Sequence, residues 1–222
     1  MKKMLSYPLK KGNPTWPGNP TIDWTPHTSI AGGDVANTGT IHLFNHYGTH
    51  IDGPLHFCPN GTPLCDFSID HFIFGKPLVI DLPKNAGEKI EPSDLAAYAG
   101  IMQNADLVLF RTGFQAMRSE NPSEYEENGP AVSSACAEYL QDHFPDLRAI
   151  ALDFVSLASY RDSIDGDRAH QYMLGMHHEH CIFIIEDVNM KELPCGFLNK
   201  VYAVPLYIEQ IDSSPVTMWA EL

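Results

Sequence analysis

The apolar residues of this chain fall in short runs of strand length, set between polar stretches rich in Gly, Pro and Asn. TIHLF (40–44) alternates apolar and polar positions. PLVIDL (77–82), DLVLF (106–110), AIALDF (149–154), CIFII (181–185) and VYAVPLYI (201–208) complete a set of six predicted strands. Pro83 stops the second run, and Pro205 inside the last predicts an edge position or a bulge. Helical patterns lie between the strands. Pro92-Ser93-Asp94 opens one that continues through LAAYAGIMQ, with Ser93 or Asp94 as its cap. A second is predicted over 132–143, where Val132, Ala135, Cys136, Tyr139 and Leu140 follow the 3.6-residue period and Pro145 ends it. The first forty residues read as loops that wrap a core. Strands alternating with helices predict an α/β protein with a mixed sheet. With no repeat and no interdomain linker, residues 1–222 are expected to form one domain.

Composition narrows the classes. A hydrophobic content of 44% with 19% charged residues belongs to a folded globular chain that needs no disulfide staples. The formal net charge of -14 disfavours nucleic acid, because phosphate binding needs a basic face. Lys2, Lys3, Lys10 and Lys11 read as a solvated terminus. No apolar run approaches the ~20 residues of a membrane span, and no apolar segment of a signal peptide follows the N-terminal lysines. Five cysteines without a CxxC pair predict reduced thiols and a cytoplasmic protein.

The candidate chemistry lies in HYGTHIDGPLH, residues 46–56. His46, His50, Asp52 and His56 all occupy even positions. A straight strand would separate His46 from His50 by ~13 Å, whereas ligands of one ion sit only ~2.0–2.2 Å from it. Shared binding therefore needs a bend, which Gly48 permits. Gly53-Pro54 redirects the chain, so that His56 is expected to fall outside the ligand set. The spacing fits three ligands and one free imidazole. Imidazole with carboxylate suits zinc, manganese or iron, and the absence of thiolate argues against a purely structural zinc site. A bound ion ionises water near neutral pH, and an unligated histidine beside it can move protons.

This stretch matches HxGTHxDxPxH at all seven fixed positions, and on it the chain resembles the cyclase-like metal-dependent hydrolase family, which includes bacterial kynurenine formamidase and isatin hydrolase. The resemblance runs through PTWPGNP (14–20), VLFRTGF (108–114), AIALDFVS (149–156), AHQYMLG (169–175) and IFIIED (182–187). It implies a swivelling β/β/α-type fold, with a mixed or barrel-like sheet and flanking helices, in a homodimer or larger assembly such as a tetramer. It implies metal binding by His46, His50, Asp52, His170 and Glu186, with one ion or two, zinc first and manganese as the alternative. Asp52 would bridge the two ions. His56 would be the acid/base and Trp16 would line the pocket of a small-molecule substrate. The implied reaction is hydrolysis of an aryl formamide such as N-formylkynurenine. Alternatives are another carbonyl substrate (an isatin-like cyclic amide or a lactone, hydrolysed or cyclised) and a non-catalytic metal-binding sensor.

The chain departs from the pattern in places. MHHEH, within 176–180, makes His177, His178 and His180 rivals of His170. Asp187 follows Glu186 where the family has Asn, and Asn19 follows Trp-Pro-Gly where it has Asp, so the substrate is open. Asp153 and Arg111 end strands and read as either site or structural residues, Arg111 rather as structural. Cys58 and Cys65 read as small buried hydrophobes.

Overall fold

Apolar runs without alternation need cover on both faces, and those of this chain become the middle of one sheet. The computed structural model describes all of residues 1–222. In chain order the strands are β1 (Lys2–Met4), β2 (Asp23–Thr28), β3 (Thr38–His42), β4 (His50–Asp52), β5 (Ile73–Phe74), β6 (Pro77–Asp81), β7 (Lys89–Ile90), β8 (Leu107–Arg111), β9 (Ala131–Val132), β10 (Ala149–Leu152), β11 (Phe183–Glu186), β12 (Gly196–Phe197), β13 (Lys200–Pro205) and β14 (Ser213–Glu221). The helices are α1 (Pro92–Leu95), α2 (Ala99–Met102), α3 (Met117–Glu120), α4 (Pro122–Glu127), α5 (Ser134–His143) and α6 (Ser163–Met173).

Ten strands make one strongly curled mixed sheet, ordered β12-β6-β8-β10-β11-β4-β14-β13-β5, with β1 also on β14. The block β6-β8-β10-β11 is parallel, so each step between its strands needs a long crossover, and these crossovers carry the helices. Alternate residues serve two cores. Val108, Phe110, Ile150 and Leu152 pack on the helical side, while Leu107, Leu109, Ala149 and Ala151 face the other. This is the single-domain α/β architecture expected from the sequence.

The strand β14 ties the halves together. One edge pairs with β13 from Val216 to Glu221. Along its other edge, Ser213–Pro215 pair with β4 and Trp219–Glu221 with β1. The polar pattern SSPVTMWAE hid this element from the sequence reading. Pro205 does sit at an unpaired edge, although its side chain is buried: β14 flanks it on one side, while β5 reaches only Val201 and Tyr202 on the other.

Two expectations need correction. The first forty residues are not loops throughout, because β2 and β3 form a two-stranded hairpin that stands apart from the main sheet. The helix expected from Pro92 onward breaks into the short turns α1 and α2, and its N-cap is Glu91. Asp94 instead reaches back, its carboxylate accepting the Glu91 N–H at 2.7 Å. The second predicted helix holds as α5, started by Ser133, whose Oγ accepts the Cys136 N–H.

Helix α6 was not foreseen as a helix. Its buried residues Gly166, Ala169, His170 and Met173 share one face. Gly166 lets that face approach the preceding loop, since a Cβ there would lie 2.3 Å from Ala158 Cβ and 2.9 Å from Ala158 Cα. We expect Gly166→Ala to lose about 1–3 kcal/mol through overpacking, outweighing the ~1 kcal/mol that alanine gains in helix propensity. Denaturant unfolding measures the difference.

Candidate metal centre

The bend that the motif spacing demands is present. Gly48 adopts φ 67°, and the His46 and His50 rings lie 5.2 Å apart, centre to centre. His50 and Asp52 then share one face of β4, with Ile51 turned into the opposite core. Glu186, the last residue of β11, pairs in register with His50. His170 enters from α6. All four of these side chains are buried, Asp52 to 1% exposure.

The donor atoms converge without satisfying one another. Asp52 Oδ1 lies 3.0 Å from His46 Nδ1 and 3.6 Å from His50 Nε2, and His50 Nε2 is 3.3 Å from Glu186 Oε2. None of these approaches has hydrogen-bond geometry, and both Asp52 Oδ1 and His50 Nε2 are buried without a partner. Orphaned buried polar atoms are costly, and a cation between them removes the cost. The outer nitrogens are already engaged: His50 Nδ1–H donates to Gly48 O and His170 Nδ1–H to Gly166 O, both at 2.8 Å. That aims Nε2 of each ring inward, and His170 Nε2 stands 3.8 Å from Glu186 Oε1. Two trios of ligand atoms result, His46-Asp52-His56 and His50-Asp52-Glu186, with Asp52 common to both. His46, His50, Asp52 and Glu186, with His170 next to Glu186, fit one or two divalent cations, and His56 borders the first trio.

Electrostatics points the same way. Burial opposes the charged form of Asp52, yet His50 and His46 outweigh it and hold the carboxyl far below the usual range. Glu186 is likewise depressed against its burial, chiefly by His170 and His50. Burial also works against a charged His46, but Asp52 and Asp212 together lift the ring to about 10. The pocket draws positive charge to itself, and in the metal-free protein protons supply it.

The remaining candidates sort clearly. His56 lies closer than the spacing suggested, its ring 4.2 Å from that of His46, and it is partly exposed to the pocket. Phe57 stacks on His170 at 4.6 Å. Trp16 lines the pocket mouth and meets Tyr160 edge-on at 5.5 Å. His177 and His178 lie beside Tyr172, and His180 contacts Leu147 O, so none joins the cluster. Asp187 adopts φ 53° and turns its carboxylate away from the centre, accepting a bidentate pair from Arg118 and a hydrogen bond from the Tyr125 hydroxyl. Asp153 accepts from Thr112 and Gly113, and Arg111 pairs with Asp81; both are structural.

One residue escaped the sequence reading. The Asp212 carboxylate accepts hydrogen bonds from His46 Nε2–H at 3.1 Å, His56 Nδ1–H at 3.0 Å and Asn45 Nδ2–H at 2.7 Å. Its burial is outweighed by the two imidazoles, which hold the carboxyl well below its usual range.

The cavity above these groups encloses about 580 Å³ and is walled by Trp16, Phe44, Phe57 and Val155. A family model, Putative cyclase, matches residues 4–159. The chain belongs to the Cyclase family. A kynurenine formamidase of Bacillus thuringiensis subsp. konkukian is 27% identical over 96% of this chain and 93% of its own length. Among solved structures, isatin hydrolase A from Labrenzia aggregata superposes with a TM-score of 0.82 at 19% identity, covering 99% of this chain and 93% of that one. A predicted metal-dependent hydrolase from Bacillus stearothermophilus superposes at 0.78 and 22%, covering 99% and 97%. The Cyclase fold is thus shared along nearly the whole chain. No helix is long and apolar enough to cross a membrane.

Because cation binding displaces protons from its ligands, zinc uptake by the metal-free protein at pH 7 should release protons, His46 foremost. Calorimetric titration in buffers of different ionisation enthalpy reads this. The apparent enthalpy should track the buffer; an enthalpy independent of buffer contradicts the ligand assignment.

Proposed function

We propose that this Cyclase-family chain is a metal-dependent amide hydrolase, with an aryl formamide such as N-formylkynurenine as its substrate. The observation that carries the reading is the pair of orphaned buried atoms, His50 Nε2 and Asp52 Oδ1, beneath an aromatic-walled cavity. His46, His50, Asp52, His170 and Glu186 would hold the cation, zinc before manganese given their imidazole and carboxylate donors. The cation supplies a Lewis acid and the means to ionise water near neutral pH.

The chain's own groups do the rest. Trp16, Phe44 and Phe57 hold the aromatic part of the substrate and keep bulk water from it. His56, with Nδ1 engaged, offers Nε2 to the reacting atoms. It accepts a proton from the attacking water as the new C–O bond forms. It returns that proton to the leaving nitrogen as the C–N bond breaks, giving a carboxylate and an amine. No covalent intermediate with the protein is required.

One feature favours a second reading, hydrolysis of a neutral cyclic amide of the isatin type. No Lys or Arg lines the cavity, and Asn19 stands where the resemblance leads one to expect Asp. Such a lining offers no fixed cation to a substrate carboxylate.

We further propose a cytoplasmic homo-oligomer. Five unpaired cysteines fit a reducing compartment. The free-standing β2–β3 arm exposes Trp24, Ile30, Val35 and Ile41, a surface suited to a second copy.

Zinc-loaded protein should hydrolyse N-formylkynurenine or isatin, and a chelator should abolish that turnover. His56→Ala should lower kcat by ~10²–10⁴-fold, the range of a lost acid/base group, while the metal content stays unchanged. Loss of metal from that variant would make His56 a ligand. No turnover on either substrate with metal bound would remove the proposed specificity.

A further inference from the structure

An ionised carboxylate can only accept hydrogen bonds, so every nitrogen that faces Asp212 must carry a proton. Two of the three facing nitrogens belong to imidazoles, and both reach the same oxygen, Oδ2: His46 through Nε2 and His56 through Nδ1. Asn45 donates to the other oxygen, and the Gly53 N–H donates to the Asp212 backbone carbonyl at 2.9 Å. Asn45 therefore holds the carboxylate, and Gly53 the backbone behind it, before either ring is met. Its position follows from the sheet, since the next residue, Ser213, pairs in register with Asp52.

The consequence for each ring is different. For His46, a proton on Nε2 leaves Nδ1 as the only nitrogen able to ligate, and Nδ1 is the atom 3.0 Å from Asp52 Oδ1. For His56, a proton on Nδ1 leaves the Nε2 lone pair for the pocket. His50 and His170 share the polarity of His56 and are opposite to His46, with Nδ1 held by a backbone carbonyl and Nε2 inward. The histidines thus form a mixed set whose odd member is defined by Asp212.

We propose that Asp212 is a positioning residue serving two imidazoles at once: through one oxygen it presents His46 Nδ1 to the cation cluster and His56 Nε2 to the substrate. This rests on the reading of the cluster as a metal centre and of His56 as the acid/base. Asp212 couples the two functions, because neither ring can change tautomer or swing away without altering the bond that orients the other.

The test starts with wild-type protein loaded with zinc and labelled with ¹⁵N histidine. Two-bond nitrogen–proton correlation spectra should show His46 bound to zinc through Nδ1 and protonated on Nε2, and neutral His56 protonated on Nδ1. Zinc on His46 Nε2, or neutral His56 protonated on Nε2, overturns the proposal without any variant or substrate. Asp212→Asn keeps the shape but turns one acceptor into a donor. It should weaken zinc binding by ~10–100-fold, the usual effect of removing an outer partner of a ligand, measured against a competing chelator. It should move neutral His56 to the Nε2–H form. It should also lower kcat by ~10²-fold or more at saturating zinc, with little change in KM. In the double variant with His56→Gln, Asp212→Asn should cost no further turnover while the zinc deficit persists, because residues acting as a unit are not additive. An unchanged zinc affinity, or a further full loss of turnover in the double variant, would reduce Asp212 to a structural residue. The spectra and the zinc affinity need no substrate, so a wrong substrate assignment leaves this test intact.

Discussion

Burying two carboxylates side by side costs several kcal/mol per ion unless positive charge meets them. Asp52 and Glu186 are buried together on adjacent strands, and Asp52 Oδ1 is left without a partner. Much of the surrounding architecture reads as a response to that constraint. Three histidines are brought to the same point from β4, from the turn before it and from α6. A fourth, His56, stands at the rim. Backbone carbonyls of Gly48 and Gly166 and the carboxylate of Asp212 fix the outer nitrogens, so that the inner ones have nowhere to turn. A site held in this way is pre-organised for a cation and for reaction around it.

The fold supplies that rigidity by making β14 a shared spine. The same strand pairs with β4, which bears His50 and Asp52, and with β13 beyond it. Asp212 sits where the chain enters this spine. The turn after Glu186 is held equally firmly: Asp187, in a left-handed conformation rare outside glycine, is clamped by Arg118 and Tyr125 and sends the preceding carboxylate toward the centre. Glu186 is thus backed by the clamp on the residue that follows it, and His56 by Asp212.

Parts of this were legible in the chain. The HYGTHIDGPLH spacing implied a bend at Gly48 and a shared metal, and the bend is there. The near-continuous apolar runs implied buried strands, and four of them form the parallel block. Other parts were not legible, for physical reasons. Asp212 lies far from His46 and His56 in sequence and reaches them only through sheet pairing, so no local spacing betrays it. SSPVTMWAE opens with polar residues that pair inside the sheet, which conceals the longest strand. Helix α6 keeps the expected period at 166, 169, 170 and 173, but Gly and His occupy positions where an apolar stripe is normally sought. The β2–β3 arm lacks a core of its own, so composition alone reads it as loop.

Anomalous diffraction at the zinc edge, from crystals of the zinc-loaded protein, tests the central claim most directly. The account predicts a peak ~2.0–2.2 Å from His50 Nε2 and Asp52 Oδ1, with His46 Nδ1 turned toward the same cluster. A peak among His177, His178 and His180, or none in the cavity of protein with confirmed zinc content, would contradict it.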